Sequence, residues 1–204
     1  MILGFAHLGI NSENLQITRE YYFQAGYQEE RIFLGLENSP EKKPFLNHFT
    51  SKHDISILKV KDGLPIEITE HGRVFGKNSQ LEISDNYRYI TLRMADVSIA
   101  EQLLTCALGF HEENGSYYLK SLIPTWSCQI LLEECNTEIT MLDHEGPSCL
   151  AFYVRNIEEA LNLLVLNGAI NYSATFTLYT DRKLNIGMLR IPGGPVIELI
   201  EIKR

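Results

Sequence analysis

The sequence predicts an α+β fold assembled from three βαβββ modules, and three observations predict it. First, one pattern recurs: an apolar run, an Asn or Asp seven positions after its first residue, and a Gly twelve or thirteen positions later. It reads His7…Asn14…Gly26, Tyr89…Asp96…Gly109 and Cys149…Asn156…Gly168. Second, each opening run alternates in polarity, which puts two sets of side chains on opposite faces of a strand. Third, each glycine is followed by strand-like sequence broken by turn residues. Internal repetition fixes an architecture before any single residue is interpreted, so the repeated unit is taken as a strand, a capped helix and further strands.

In the first module Ala6, Leu8 and Ile10 share a face opposite His7 and Gly9. The helix spans about Asn14 to Ala25, with Leu15, Ile17, Tyr21 and Tyr22 expected to be buried. The Ser39–Pro44 stretch, with Pro40 and two lysines, reads as a solvated loop. HDISILKV and LPIEIT then give two strands around the turn Asp62-Gly63. In the second module Ile90, Leu92 and Met94 oppose Tyr89, Thr91 and Arg93, and an Asp96-capped helix runs through Val97, Ala100, Leu104 and Leu108 to Gly109. SYYLKSLI and SCQILLEE complete it. In the third, Leu150, Phe152 and Val154 oppose Cys149, Ala151 and Tyr153. Its helix shows the full i, i+3, i+4, i+7, i+8 stripe in Ile157, Ala160, Leu161, Leu164 and Val165, with Asn156 and Glu159 as a capping pair. TFTLYT, LNIGMLRI and PVIELIEI follow as strands. Residues 1–72 thus form a first module, 73–86 a linker, and 87–204 a complete two-module unit, with Asn136 to Pro147 as its internal connection.

At 204 residues, 45% hydrophobic and 22% charged, the chain can bury a substantial core. A net charge of −8 without clustered Lys and Arg argues against a nucleic-acid surface. No apolar run approaches the ~20 residues of a membrane span, and the opening MILGFAHLGI lacks a basic lead-in, so the expectation is a soluble cytoplasmic protein. Cys106, Cys128, Cys135 and Cys149 form no CxxC pair and are expected to be reduced thiols.

The stretches GFAHLGINSENLQITREYYFQAGY, YRYITLRMADVSIAEQLLTCALGF and GPSCLAFYVRNIEEALNLLVLNGA, with the closing IPGGPVIELIEIKR, resemble the vicinal oxygen chelate superfamily. That superfamily includes glyoxalase I, bleomycin-resistance proteins and extradiol dioxygenases. The resemblance implies modules that pair into curved mixed-sheet cups holding a divalent metal, Zn, Ni, Fe or Mn. Carried over residue by residue, it makes His7, Glu67 and Glu198 metal ligands, with Glu67 and Glu198 also moving a proton. The corresponding first-strand positions of the other modules, Tyr89 and Cys149, are not His. The third ligand is Glu198, with Cys149 as a fourth, if the first and third modules share a cup. Otherwise it comes from a second subunit whose first module pairs across a two-fold axis.

Arg93, Tyr89, Thr91, Cys149 and Tyr153, together with Trp126, are the candidate substrate-binding residues. Arg93 suits a carboxylate or phosphate, or else an ion pair with Glu133 or Glu198. Cys149 has no activating neighbour in sequence, which favours a buried core residue over a nucleophile. His48, His53, His71, His111 and His144 are expected at the surface. Two functions follow. One is a metal-assisted isomerase or lyase acting on a small oxygen-bearing molecule. The other is a metal-free pocket that sequesters a small molecule, as in bleomycin resistance. An unpaired first module would expose its inner face, so a homodimer is expected.

Overall fold

A computed structural model describes residues 1–121, 123, 127–180 and 182–203. The three modules form as the repeat predicts. The first is β1 (Ile2–Asn11), α1 (Leu15–Gln24), β2 (Gln28–Glu37), β3 (Lys52–Lys59) and β4 (Ile66–Glu70). After a short strand β5 (Leu81–Ile83), the second comprises β6 (Ile90–Met94), α2 (Val97–Gln102), β7 (His111–Glu113), β8 (Ser116–Leu119) and β9 (Cys128–Glu134). The third is β10 (Gly146–Val154), α3 (Ile157–Leu166), β11 (Phe176–Tyr179), β12 (Lys183–Arg190) and β13 (Val196–Ile202). The recurring Asn or Asp has one physical cause. Asn14, Asp96 and Asn156 each accept a backbone N–H of the first helical turn, at 3.0, 3.0 and 3.1 Å, satisfying a donor that the helix itself leaves unpaired. Gly168, at φ 101°, closes α3.

Strand pairing differs from the arrangement expected for 87–204. One eight-stranded sheet runs β11-β12-β13-β10-β1-β4-β3-β2, joining the third module to the first, while β5-β6-β9-β8-β7 is a separate sheet. The seam is the antiparallel pair β1·β10, from Ile2↔Val154 to Asn11↔Gly146. Strand length and edge protection explain the choice. β1 and β10 have ten and nine residues, whereas β6 has five, and the β6 edge facing away from β9 is already paired to β5. A capped edge cannot accept another module. The β1 edge of the first module is paired within the chain, while its inner face lines a cavity.

Leu8, Ile10, Ile66 and Ile68 of the first module, Ile90, Leu92 and Leu104 of the second, and Leu150, Phe152, Leu161 and Leu164 of the third share one buried core. Phe152 stacks edge-on with Phe5 at 5.7 Å and Phe110 at 6.1 Å, tying the two sheets together. The alternation read from the sequence holds in β6 and β10 but not throughout β1. A register irregularity between Phe5 and His7 puts Phe5 in the core beneath the helices and turns Ala6 to the same cavity as His7, the re-aiming a bulge produces. On α1, Leu15 and Tyr22 are buried, whereas Ile17 and Tyr21 are exposed.

The connections are more structured than their composition suggests. Residues Pro40–Phe45 form a 3-10 helix, with Phe45 and the following Leu46 buried. Asp143, in the 136–147 connection, accepts Asn47 N–H, Asn47 Nδ2 and His48 N–H at 3.0, 3.0 and 2.8 Å. Phe45, Leu46 and Leu142 pack together with Cys149, Ala151 and Met188, so these two connections plug one end of the curved sheet. His53 and His71, expected at the surface, are buried with ring centroids 5.3 Å apart. No helix among the described residues is long and apolar enough to cross a membrane.

Candidate metal centre

The centre follows from the register across the seam. Leu8 faces Leu150, Gly9 lies beside Glu67, and Ala151 lies beside Glu198. A pseudo-two-fold axis through the Leu8–Leu150 pair therefore relates Gly9 to Ala151, Glu67 to Glu198 and His7 to Cys149. His7 is cross-strand from Ala151, so Met188, Glu198, Ala151 and His7 form one row across the sheet. Cys149, Gly9, Glu67 and Ile57 form the next. Each row has a residue with little or no side chain at the seam, leaving a hollow into which longer neighbours lean. A Cβ on Gly9 would stand 3.0 Å from that of Cys149.

In that hollow His7 Nε2 lies 3.7 Å from Glu67 Oε2 and 3.6 Å from Glu198 Oε2. One donor atom from each residue falls within 4.8 Å of the other two. The His7 side chain is 7% exposed and those of Glu67 and Glu198 18% and 12%, so screening by solvent is weak. Buried Nε2 has no hydrogen-bond partner. Ligands about 2.1 Å from a tetrahedral cation are roughly 3.4 Å apart. The His–Glu separations and the orphaned imidazole nitrogen both fit a divalent cation between these residues.

Burial by itself lowers the His7 pKa, but the facing Glu67 and Glu198 carboxylates outweigh it and the net direction is upward. Burial, reinforced by Glu198, pushes Glu67 up. At Glu198 burial also acts upward, yet His7 and Lys42 prevail and hold it below the usual carboxylate range. The two carboxylates and His7 share one buried site, so a proton gained by one changes the charge felt by the others. Burial, then Glu198 and Glu67, push the Cys149 thiol well up. It remains a neutral thiol.

A cavity of about 220 Å³ opens from His7, Glu67 and Glu198, walled by Ile57, Leu184, Ile186 and Ile200. Arg31, Lys59 and Arg182 stand along it with Glu30. A second space of about 20 Å³ lies against Glu67 and Glu198, lined by Lys42, Thr69, His71, Ser148 and Cys149. Of the candidate substrate-binding residues, Tyr153 lines the large cavity and Cys149 the small one. Tyr89, Thr91 and Arg93 belong to the second module and are not brought to this site. Arg93 donates from Nη2 to Glu82 at 2.5 Å and from Nε to Glu133 at 2.8 Å, an ion-pair role with the Glu133 partner foreseen for it. Trp126 lies outside the described residues. Sequence reasoning missed Lys42, Arg31 and Arg182. Lys42 sat in a presumed loop, and Arg31 and Arg182 carry no motif.

Comparison with solved structures finds proteins that align over nearly all of this chain, at low identity. Methylmalonyl-CoA epimerase from Mycobacterium tuberculosis is 14% identical, with a TM-score of 0.49 over 100% of this chain and 91% of its own. Glyoxalase I from Zea mays is 13% identical, with a TM-score of 0.40 over 97% and 67%. A Bacillus subtilis protein described as a putative dioxygenase is 12% identical, with a TM-score of 0.42 over 100% and 64%. No protein-family model and no curated protein matches the chain. The chain is α+β, with βαβββ modules joined in one eight-stranded sheet and a second sheet beside it. One imidazole and two carboxylates stand beside an adjoining cavity, a donor set able to hold a divalent ion.

Proposed function

We propose that the protein is a metal-assisted isomerase or lyase acting on a small molecule with two neighbouring oxygens. The observation that carries this reading is the convergence of His7, Glu67 and Glu198 at the inner end of a mostly apolar cavity. A divalent ion of the Zn, Ni, Fe or Mn kind supplies Lewis acidity, polarising the substrate oxygens and acidifying the carbon beside them. His7 contributes its unpartnered Nε2. Glu198, held ionised, contributes a fixed negative charge. Glu67 also contributes an oxygen, and Glu67 or Glu198, both at the inner end of the cavity, takes a proton from the substrate carbon and returns it. The apolar walls exclude water from that exchange.

One observation favours a second reading, a metal-free binding pocket. The same carboxylates that suit a cation also stabilise a protonated His7 between them, which balances part of their charge without metal. Metal analysis separates the two. Protein purified from metal-supplemented medium is expected to carry about one divalent ion per chain, and His7→Ala to carry none. Wild-type protein that neither retains nor takes up Zn, Ni, Fe or Mn in titration, yet binds ligands normally, overturns the enzyme reading.

A further inference from the structure

We infer that Lys42 is the resident counter-cation of Glu67 and Glu198. Its ammonium balances part of the carboxylate charge when no divalent ion is bound, and it weakens the hold of the centre on that ion when one enters. The second half of this assignment rests on the function proposed above; the first half involves no metal.

Lys42 is held in place by the segment that carries it. The 3-10 helix Pro40–Phe45 ends in Phe45, which is fully buried in the cluster that includes Ala6, Cys149 and Met188. The Phe45 carbonyl accepts the Leu142 N–H at 2.8 Å. The helix is therefore docked on the sheet, and Lys42 lines the small chamber of about 20 Å³ together with Glu67 and Glu198. No other Lys or Arg is among the described residues lining that chamber. Lys42 itself makes no direct ion pair among the described residues. A space of this size holds about one water, too little solvent to screen the ammonium from the carboxylates.

The reach of that charge is visible in its neighbours. Burial is the leading influence on six inward-facing groups, and the Lys42 charge acts on all of them: His7, Glu67, Glu198, Cys149, His53 and His71. Glu67 and Glu198 offer carboxylate oxygens within 4.8 Å of each other, and two like charges so placed repel strongly where solvent is scarce. A positive charge facing both relieves that repulsion in the empty centre. A divalent ion entering the centre meets the same positive charge. With His7 neutral, the loaded centre keeps a surplus positive charge while Lys42 is present and has none once the lysine is neutralised. At weak screening such a difference changes ion affinity by at least about tenfold.

Lys42→Met keeps the aliphatic stem and removes the charge. In EDTA-treated protein at pH 8 it should lower the midpoint of urea unfolding in the wild-type background, and leave it unchanged or raise it in Glu67→Gln/Glu198→Gln. Titrated with Zn²⁺ against a chromogenic chelator, Lys42→Met should bind at least about tenfold more tightly than wild type, while Lys42→Arg stays within about threefold because the charge is kept. Lys43→Met changes the net charge equally from the next position of the same helix, where the side chain is exposed over Phe49; solvent screening should hold its effect on Zn²⁺ affinity within about threefold. A midpoint loss of the same size in both backgrounds, a Zn²⁺ affinity unaltered by Lys42→Met, or one raised as much by Lys43→Met overturns the assignment. Absence of Zn²⁺ uptake by every variant, with the difference in midpoints intact, refutes the metal reading and supports Lys42 as the standing counter-cation of the two glutamates.

Discussion

His53 and His71 make the protein's stability depend on pH in a direction opposite to that of His7. Their rings face each other at the plugged end of the sheet, and His53 Nδ1, His53 Nε2 and His71 Nδ1 are buried without hydrogen-bond partners. Burial, with the Lys42 ammonium adding to it, drives the His53 pKa down to about 2 and that of His71 to about 3, from 6.5 for an ordinary imidazole. Both rings are therefore neutral in the folded chain above pH 5, while the unfolded chain takes up two protons as pH falls through 6.5. Linkage then favours unfolding. At pH 5.5 each ring costs about 1.4 kcal/mol and at pH 7.5 less than about 0.1, so the pair removes about 2.7 kcal/mol over that interval. His7 contributes with the other sign, because its raised pKa favours the folded state below pH 6.5. The pair is isolated by comparing wild-type protein with His53→Gln/His71→Gln in urea unfolding at pH 5.5, 6.5 and 7.5, where His7 and the carboxylates cancel. The wild type should lose about 2.7 kcal/mol more than the double variant between the extremes. Slopes that agree within about 0.5 kcal/mol would mean that the two imidazoles are hydrated or protonated in the fold, and the account of the plugged end would fail.

The metal centre and its supports give three further expectations. Gly9→Val puts a branched side chain into the hollow beside Cys149 and Glu67, and should cost about 1–3 kcal/mol in thermal unfolding while lowering metal uptake at least tenfold. Arg93→Ala breaks two partly exposed ion pairs on the second sheet; it should change stability by less than about 1 kcal/mol and leave metal content as it was. Asp143→Ala removes the acceptor of three hydrogen bonds that fasten residues 47 and 48 to the 136–147 connection. A loss of about 3 kcal/mol in urea unfolding is expected, and a loss under 1 kcal/mol would show that these connections do not hold the plug.

The three modules were legible because each states its boundaries locally. A capping Asn or Asp, an amphipathic stripe and a closing glycine act within one helix and need no distant partner. His7, Glu67 and Glu198 were also singled out, though on resemblance alone; nothing in their spacing along the chain shows that they meet. Tyr89, Thr91 and Arg93 were chosen by the same repeat and sit on the equivalent face of a strand, yet β5 occupies the edge where a partner module would create a cup. Lys42 carries no signal of its place at the site, and His53 and His71 read as surface residues, because a residue's burial depends on what packs over it. The covering here comes from a turn and a connection whose polar composition reads as solvated.

The sequence by itself determined the modular α+β architecture, the inward-facing residues of β6 and β10, and the residue types able to bind a cation. Tertiary structure alone decided that the first module pairs with the third. That pairing depends on the relative length and protection of strand edges, a comparison between segments that no local pattern records. It also brings one histidine and two glutamates, far apart in sequence, to within 4.8 Å across a glycine and an alanine.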